Sequence, residues 1–597
     1  MSFFSHAPLL FQDPLKSDLI PSKTLQIGQE LSSPIPLKLV RLIDDTTHYQ
    51  VYFAEPIGGQ SLSIFGYEVW VGSASTMDLM KKQKEVISYL WPTKENVTFI
   101  QLDSYALMIR EIEYHYSLMK ILEDKSQDQA YLDLLNLGIL LAKKLSSLHQ
   151  MGYALGGFHP KYLGLNDQNQ WTFLYLNLHE AYQSQSEQPH LYSPKIWQHA
   201  GYSPPEAYGH FNAKVDARSD VFSLGIMLFY ALTKIKPFQE TKRPFHRLPS
   251  PLIYQPLLPP ELIAVIRKAI SSYPARRFKD ATDLLNALLL AKDSIQQREK
   301  TESMLRLEVG HDIHVGLIKG QYNPINQDDL FLGYQPDAHK GLFLISDGVS
   351  ISEHGTGDIA SGYVKQEAFE AWKDFIQMNS DSEDETMAEL DHSFSSHVTG
   401  PELISRILNR ANQRIADHVN AMIPVFHGPP EGIMAATAVL AVLEKNYVTF
   451  GSVGDSRIYL IRNGLMISLM NDDDLATHLM QMGQSPTQAY QSTSAAALIN
   501  CVGEFKKNQN NQLVPSQIKP QILQMKLLPG DQIVLCSDGV PDYAGFDEED
   551  AEIRLLEVVQ KSVTATRAAF ELVSLANRGG GGDNISCVVL RCHRANS

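Results

Sequence analysis

The pattern of hydrophobic and polar positions changes twice along the chain. From residue 36, short runs of alternating and branched apolar residues predict β-strands, the last of them YALMIREIE at 105–113. From 131 to about 290 the apolar residues recur at helical spacing, most clearly in YLDLLNLGILLAKKLSSLHQMG at 131–152. After residue 305 strands return, with helices such as the one predicted at 402–419 between them. At 597 residues the chain is too long for one hydrophobic core, so we expect two to four domains.

Apolar runs in the C-terminal half stand next to aspartates. Asp347 and Asp538 each follow a short apolar strand and precede a glycine, and Asp583 lies between four glycines and the apolar run ISCVVL. Carboxylates, carbonyls and waters favour Mg²⁺ or Mn²⁺, and bridging carboxylates hold two such ions about 3.5–4 Å apart. Because glycine lets the backbone approach a metal, the carbonyl of Gly348 is a further candidate ligand.

At these residues the sequence resembles the metal-dependent protein phosphatases of the 2C type, over residues 305–597. The resemblance rests on several motifs in the expected order rather than on a single one. The motifs are NQD at 326–328, SDG at 346–348, GDSR at 454–457, a second SDG at 537–539 and GDN at 582–584. The alternative interpretation is that they are ordinary polar turns of a β-rich domain.

The resemblance implies an α/β/β/α sandwich with a metal site at the strand ends where the two sheets meet. It implies two ions, Mg²⁺ or Mn²⁺, that are bridged by Asp347, held also by Asp538 and Asp583, and share a water. That water would attack the phosphorus of a phosphoserine or phosphothreonine, so no cysteine or serine nucleophile is needed.

Two further aspartates match positions of the family. Asp328 matches the aspartate that helps to hold the metal-bound waters, and Asp455 matches a position that can hold a third metal ion. Capping of a tight turn is an equal alternative for Asp455. The catalytic residues expected from the resemblance are Asp328, Asp347, Asp538 and Asp583, and the expected metal ligands are these four with Gly348 and Asp455.

The sequence departs from the family in its phosphate-binding arginine. That arginine usually stands five residues before the first aspartate, where this chain has Asn323, and Lys319 is the one nearby basic residue that could replace it. Losing a bidentate clamp should weaken phosphate binding without removing the nucleophile.

The stretch from 131 to about 290 resembles the larger lobe of a eukaryotic-type protein kinase. The most specific piece is DARSDVFSLGIMLFYALTKIKPF at 216–238, which is similar to the buried helix of that lobe with its leading aspartate. Pro204-Pro205-Glu206 resembles the end of the activation segment, and 261–289 is similar to the closing helices, with an arginine just before Phe278. The resemblance implies a bilobal α+β fold whose small lobe is formed by the strands before residue 113.

The groups that a kinase needs for phosphoryl transfer are replaced. Gly157 stands where the family has its catalytic aspartate, Tyr162 where it has a metal-binding asparagine, and Asn177-Leu178-His179 where it has Asp-Phe-Gly. No lysine occurs from Val69 to Gly72, where the third strand would carry one. We therefore expect a pseudokinase that binds a nucleotide, docks a protein partner or controls the attached domain; a spacer without a present role is the alternative.

Composition narrows the range of binding partners and cellular compartments that we expect for the protein. A net charge of −16 without a basic block argues against nucleic acid or an anionic membrane as the main partner. The four cysteines contain no C-x-x-C pair, which favours a reducing compartment, and we expect a cytoplasmic protein. The longest apolar run, 221–232, is shorter than the roughly 20 residues that a membrane span needs.

Together these observations predict four segments and one main activity. The segments are an extended N-terminal part at 1–35, the kinase-like domain at 36–295, a linker at 296–304 and the phosphatase 2C-like domain at 305–597. The predicted activity is metal-dependent hydrolysis of phosphoserine and phosphothreonine in a phosphoprotein substrate, without kinase activity. The alternative is a scaffold in which both domains are catalytically weak or silent, supported by the degenerate kinase-like lobe and by Asn323.

Overall fold

The structure is a computed structural model of the whole chain and divides by its internal contacts into two compact units. Unit 1 comprises Met1–Pro244 with Lys268–Asn286, and unit 2 comprises Phe245–Arg267 with Ala287–Ser597. The described residues are 26–31, 36–45, 49–57, 65–73, 76–78, 80–81, 84–85, 97–101, 105–113, 131–160, 163–165, 171–173, 179–180, 201–213, 215–236, 249–300, 304–349, 357–377, 399–423, 425, 427 and 434–595. Residues 1–25 and 32–35 of the extended N-terminal part predicted at 1–35 lie outside them, as do Tyr162 and Asn177-Leu178.

Unit 1 begins with strands and continues with helices. Its elements are β1 Glu30–Leu31, β2 Leu37–Asp45, β3 Tyr49–Pro56, β4 Phe65–Ser73, β5 Val97–Gln101, β6 Tyr105–Glu113, α1 Tyr131–Gln150, β7 Tyr153–Ala154, β8 Leu163–Leu165, β9 Trp171–Phe173, β10 His179–Glu180 and α2 Ala217–Thr233, with short 3₁₀ turns at Pro205–Tyr208, His210–Asn212 and Pro274–Arg276. Strands β1 to β6 form one antiparallel sheet in the order β1-β2-β3-β4-β6-β5. The strands and helices thus occur in the order that the hydrophobic pattern predicts.

Helix α2 lies in the interior of unit 1, because apolar residues cover almost its whole circumference. Asp216 caps its N-terminus, accepting a hydrogen bond from the backbone N–H of Arg218 at 2.9 Å, and Ser219 completes a capping box. Inside the helix, the carboxylate of Asp220 is fully buried and accepts hydrogen bonds from the backbone N–H groups of Leu155 at 2.8 Å and Gly157 at 2.7 Å. Helix α2 therefore fixes the backbone of the loop that follows β7.

Unit 2 contains the second group of strands and most of the helices. Its elements are α3 Pro260–Ala269, α4 Ala281–Lys300, β11 Leu305–His314, α5 Lys319–Tyr322, β12 Asp328–Gln335, β13 Lys340–Val349, α6 Gly357–Gln377, α7 Gly400–Met422, β14 Ala435–Ala436, β15 Ala438–Glu444, β16 Tyr447–Val453, β17 Arg457–Arg462, β18 Leu465–Ser468, α8 Leu475–Gln481, α9 Pro486–Tyr490, β19 Phe505–Lys507, β20 Leu513–Pro515, β21 Gln521–Lys526, β22 Gln532–Cys536, α10 Pro541–Ala544, α11 Glu548–Lys561, α12 Ala565–Arg578 and β23 Ile585–Arg594. The end of α3 from Lys268 and the start of α4 up to Asn286 belong to unit 1, because the boundary between the units falls inside both helices.

Two antiparallel sheets form the centre of unit 2. One has the order β12-β13-β15-β16-β21, with β14 paired to β13, and the other has the order β11-β23-β22-β17-β18. Helices α6 and α7 cover the outer face of the first sheet, and α11 and α12 cover that of the second. Strand β13 is apolar on both faces because it is enclosed by the helices on one side and by the other sheet on the opposite side. This is the α/β/β/α arrangement expected from the sequence.

A stretch that precedes the predicted phosphatase-like domain also belongs to unit 2. Ile253, in the 3₁₀ turn Pro251–Ile253, packs in one apolar cluster with Ala476, Met480 and Ala489 of α8 and α9. Glu261 of α3 forms a buried ion pair with Arg462 of β17. No pattern in the sequence indicated that residues 245–267 pack with the C-terminal sheets. The predicted domain boundaries stay a prediction. None of the described helices has both the length and the apolar character that crossing a membrane demands.

Candidate functional site

Asp328 and Asp347 are brought together by the pairing of β12 with β13. They are direct cross-strand partners, Asp328 at the first position of β12 and Asp347 near the end of β13. Directly opposite residues of an antiparallel pair have Cβ atoms about 4.5–5.5 Å apart. The strand register therefore places two carboxylates side by side at one edge of the first sheet. Both residues are buried, with 5% and 8% of their surface exposed.

Asp538 comes from the second sheet, directly after β22 and before α10. Ser537 ties the two sheets together here, because its Oγ donates a 2.8 Å hydrogen bond to Oδ2 of Asp328 and accepts one of 3.0 Å from the backbone N–H of Ser586 on β23. The serine of the SDG motif thus orients the aspartate of the first motif. No feature of the local sequence pattern indicated that link.

Asp583 reaches the same place on the glycine-rich turn before β23. Its neighbour Asn584 accepts a 3.0 Å hydrogen bond from the backbone N–H of Gln327 and donates one of 3.0 Å to the carbonyl of Val315. At Gly539 a Cβ would lie 2.0 Å from the carbonyl oxygen of Asn584, so glycine is needed for the two turns to approach. The GDN motif therefore anchors its aspartate beside the strand end that carries Asp328.

Gly348 allows a similarly close approach on the other side of the site. A Cβ there would lie 2.1 Å from the carbonyl oxygen of Gly357, at the start of α6. Its N–H donates to the carbonyl of Gln327 at 3.0 Å. The geometry explains why the position is glycine; coordination of a metal by its carbonyl stays a prediction.

The carboxylates of this cluster repel one another. Burial, followed by the charge of the Asp328 carboxylate, raises the pKa of Asp347 well above its ordinary value. Burial, followed by the charge of Asp347, does the same to the pKa of Asp538. Burial also raises the pKa of Asp328 to about 6, against the lowering effect of the hydrogen bond from Ser537. Such a cluster favours a bound cation, which would offset the repulsion.

The donor chemistry of the cluster fits a hard divalent cation. Within the described part of the chain, Oδ1 of Asp328 and Oδ1 of Asp538 are buried and accept no hydrogen bond. Unpaired buried carboxylate oxygens are costly unless they bind a proton or a cation. The same described residues contain no group of three or more His, Cys, Asp and Glu side chains already spaced as a ligand set. The fit therefore rests on the convergence of oxygen donors and on these two unpaired oxygens.

One basic side chain reaches the cluster. Nζ of Lys319, at the start of α5, forms an ion pair with Oδ1 of Asp583. Asn323 closes the same short helix, and its Oδ1 accepts a 3.1 Å hydrogen bond from the backbone N–H of Ile325. The sequence pointed to Lys319 as a nearby basic residue but not to its contact with Asp583, 264 positions away.

Asp455 lies in the turn between β16 and β17, on the side of the cluster nearest to Asp538. Burial and then the charge of Asp472 raise its pKa to about 6, and its own charge contributes to the raised pKa of Asp538. Arg457 binds Asp472 with hydrogen bonds of 3.1 and 2.9 Å. Asp472 was not singled out from the sequence, and both interpretations of Asp455, third-metal ligand and turn cap, stay open.

The C-terminal half of the chain is similar to known proteins. Residues 319–575 match the family described as Protein phosphatase 2C. The serine/threonine phosphatase stp of Listeria innocua is 24% identical over 251 residues, which is 42% of this chain and 83% of that protein. The serine/threonine protein phosphatase PstP of Mycobacterium tuberculosis is 25% identical over 275 residues, 45% of this chain and 43% of that protein.

Solved structures align with the same half. The crystal structure of the Mycobacterium tuberculosis phosphatase PstP/Ppp is 22% identical and covers 49% of this chain and all of that one, with a TM-score of 0.35. A structure of the PstP catalytic domain in complex with two manganese ions is 23% identical and covers 48% of this chain and 99% of that one, with a TM-score of 0.33.

Proposed function

We propose that this chain, whose C-terminal half is a protein phosphatase domain of the 2C type, hydrolyses phosphoserine and phosphothreonine in proteins with the help of Mg²⁺ or Mn²⁺. The observation that carries the proposal is the convergence of four aspartates from both sheets, two of which keep a buried oxygen without a hydrogen bond. The aspartates are Asp328, Asp347, Asp538 and Asp583.

The aspartates have two kinds of role in this proposal. Asp347, Asp538 and Asp583 would hold two cations, and Asp455 would help to hold a third if it takes part. Such ions, when bound, lower the pKa of water and offset the negative charge of a phosphate. Asp328 has Oδ2 fixed by Ser537, so Oδ1 is the oxygen that is free to accept a hydrogen bond from the attacking water and to orient it.

The test is manganese-dependent release of phosphate from a phosphothreonine peptide by the full chain and by Asp538→Asn. We expect the variant to lose nearly all activity, because it replaces a carboxylate with an amide at the centre of the cluster. Asp337→Asn is the matched control, since Asp337 is an exposed acid in the turn between β12 and β13. Calorimetric Mn²⁺ titrations of each protein show whether an inactive one still binds metal.

The competing function is a scaffold in which the phosphatase domain is silent. Asn323 favours it, since that side chain is bound to the backbone of Ile325 and gives no charge to a phosphate. Binding of Mn²⁺ by the wild-type chain without phosphate release from any of several phosphopeptides would establish the scaffold and refute the hydrolase.

For unit 1 we propose a kinase-like fold without kinase activity that binds a ligand or partner. Support comes from its buried polar contacts: Asp220 of α2 holds the loop that contains Gly157, and Glu206 pairs with Arg277 at 2.6 Å with both side chains fully buried. Gly157 has φ of +104°, so no aspartate is easily placed where a kinase would need one. A shift of the melting temperature of the full chain by ATP or ADP would reveal nucleotide binding; without a shift, a protein partner becomes the candidate ligand.

A further inference from the structure

Lys319 is held beside Asp583 by its backbone as well as by its charge. Its N–H and that of Ile318 both donate to the carbonyl of Gly581, at 3.1 and 2.9 Å, on the glycine-rich turn that carries Asp583. A Cβ at Gly316 would lie 2.1 Å from the carbonyl oxygen of Asp583, so the chain segment before α5 is pressed against the same turn. The base of the lysine side chain therefore keeps its place whatever the ammonium group binds.

The ion pair lies at the open side of the site. The side chains of Lys319 and Asp583 are 21% and 38% exposed, whereas Asp328 and Asp347 are nearly buried. A phosphate that approaches from solvent meets the Lys319 ammonium group at the rim, before it meets the deeper carboxylates. The lysine stem has four flexible carbons, so its charge can turn from Asp583 to an incoming anion.

An ion pair already holds the Lys319 ammonium group at the cluster. Among the described residues, Lys319 is the one basic side chain in an ion pair with any of the four clustered aspartates. Arg457, the basic residue of the GDSR motif, is 12% exposed and engaged by Asp472 and Glu548. Asn323 is uncharged and serves the turn after α5.

A phosphate monoester requires positive charge at such a site. It is a dianion near neutral pH, and here it must bind among carboxylates. Charge-assisted hydrogen bonds from a lysine or arginine are the usual compensation.

We infer that Lys319 is the side chain that grips the phosphoryl oxygens of the substrate and so replaces the arginine that is absent at position 323. The inference rests on the proposed function. A lysine offers one point charge with rotatable donors rather than a planar fork, so the grip is single and not bidentate.

The experiment compares Lys319→Met with Lys319→Arg in the full chain with Mn²⁺. Four quantities are measured: the dissociation constant of inorganic phosphate by calorimetry, KM and kcat for a phosphothreonine peptide, and the affinity for Mn²⁺ alone. Lys365→Met is the matched control, because Lys365 forms an exposed ion pair with Asp329 outside the cluster.

We expect Lys319→Met to raise the phosphate dissociation constant and KM by about 10- to 100-fold, the value of a charged hydrogen bond, with a smaller change in kcat. In Lys319→Arg both the phosphate dissociation constant and KM should stay within a few-fold of the wild-type values, because the charged hydrogen bond is kept. The Mn²⁺ affinity should stay the same or rise in Lys319→Met, since that variant removes a cation that competes for Asp583, and it should stay the same in Lys319→Arg, which keeps the charge.

Three results would overturn the inference. They are unchanged phosphate affinity in Lys319→Met, an equal loss in Lys319→Arg, and a fall in Mn²⁺ affinity that accounts for the rise in KM. The last would mean that Lys319 positions Asp583 rather than binding phosphate. Because phosphate binding is measured without turnover, an inactive wild type refutes the proposed hydrolase and leaves this inference to be decided by the calorimetry.

Discussion

The buried carboxylates of Asp220 and Glu206 in unit 1 and those of the aspartate cluster in unit 2 are bonded in opposite ways. In unit 1, Asp220 accepts two backbone N–H groups and lies 3.0 Å from a ring nitrogen of His149, and Glu206 binds both Arg277 and Ser219. In unit 2, Asp328 and Asp538 each keep a buried oxygen without a hydrogen bond.

Under the proposed function, the difference separates carboxylates that stabilise the fold from carboxylates that bind a cation. A buried carboxylate whose oxygens are satisfied stabilises the backbone around it, and removing it leaves its donors unpaired. A buried group of repelling carboxylates reduces stability until a cation binds. Burial alone would have assigned both groups the same role, so the hydrogen-bond partners are the informative observation.

The largest effect is expected from Glu206→Ala. It leaves Arg277 buried without its charged partner, and breaking such a pair costs about 3–5 kcal/mol. Denaturant unfolding of unit 1 within the full chain would measure the loss. Asp538→Asn, examined with a chelator present, should leave the unfolding midpoint unchanged or raise it, because it removes a repelling charge. If both substitutions destabilise alike, the distinction between the two groups is wrong.

Metal ions should stabilise unit 2 and leave unit 1 unaffected. At a free Mn²⁺ concentration 100 times the dissociation constant, binding adds about 2.7 kcal/mol to the free energy of unfolding. The thermal transition of the wild type with Mn²⁺ and with EDTA gives the shift. The shift should shrink strongly in Asp538→Asn and persist in Glu206→Ala; an equal shift in Asp538→Asn would remove that residue from the proposed metal site.

Gly157→Asp should lower the stability of unit 1 without creating kinase activity. The position has φ of +104°, and a Cβ there would lie 3.1 Å from Oγ of Ser223 and 3.3 Å from Cδ of Pro204. Such backbone strain costs on the order of 1–3 kcal/mol. Denaturant unfolding measures the cost, Gly152→Asp is a comparison at positive φ without close neighbours, and a radioactive ATP assay tests for phosphoryl transfer.

The smallest effect is expected from Asn323→Arg. An arginine one helical turn from Lys319 would add a second cation near the phosphate, so KM should fall by roughly three- to tenfold, the worth of about 1 kcal/mol. The same substitution in Lys319→Met should recover part of the lost phosphate affinity. A KM unaffected in both backgrounds would place position 323 out of reach of the substrate.

The sequence predicted the parts of the site that depend on local pattern. An apolar run followed by an aspartate and a glycine gave both the strand and the position of the acid, as for Asp347 at the end of β13 and Asp538 after β22. The helix predicted at 402–419 lies within Gly400–Met422, because its apolar stripe was long and regular.

Contacts between distant segments were beyond the sequence pattern. The ion pair of Lys319 with Asp583 and the hydrogen bond of Ser537 with Asp328 each join residues more than 200 positions apart. Neither leaves a mark in hydrophobic periodicity, because periodicity reports which face of an element is buried and not what lies against it. The placement of Ile253 against α8 was missed for the same reason.

The division of the chain has a consequence for its inheritance. Unit 2 begins at Phe245, gives way to unit 1 for residues Lys268–Asn286, and resumes at Ala287. No single cut in the gene therefore separates unit 1 from unit 2. A recombination event between the codons for residues 245 and 287 would leave both units incomplete in the product. A lineage that keeps all of unit 2 must therefore also keep residues Lys268–Asn286 of unit 1.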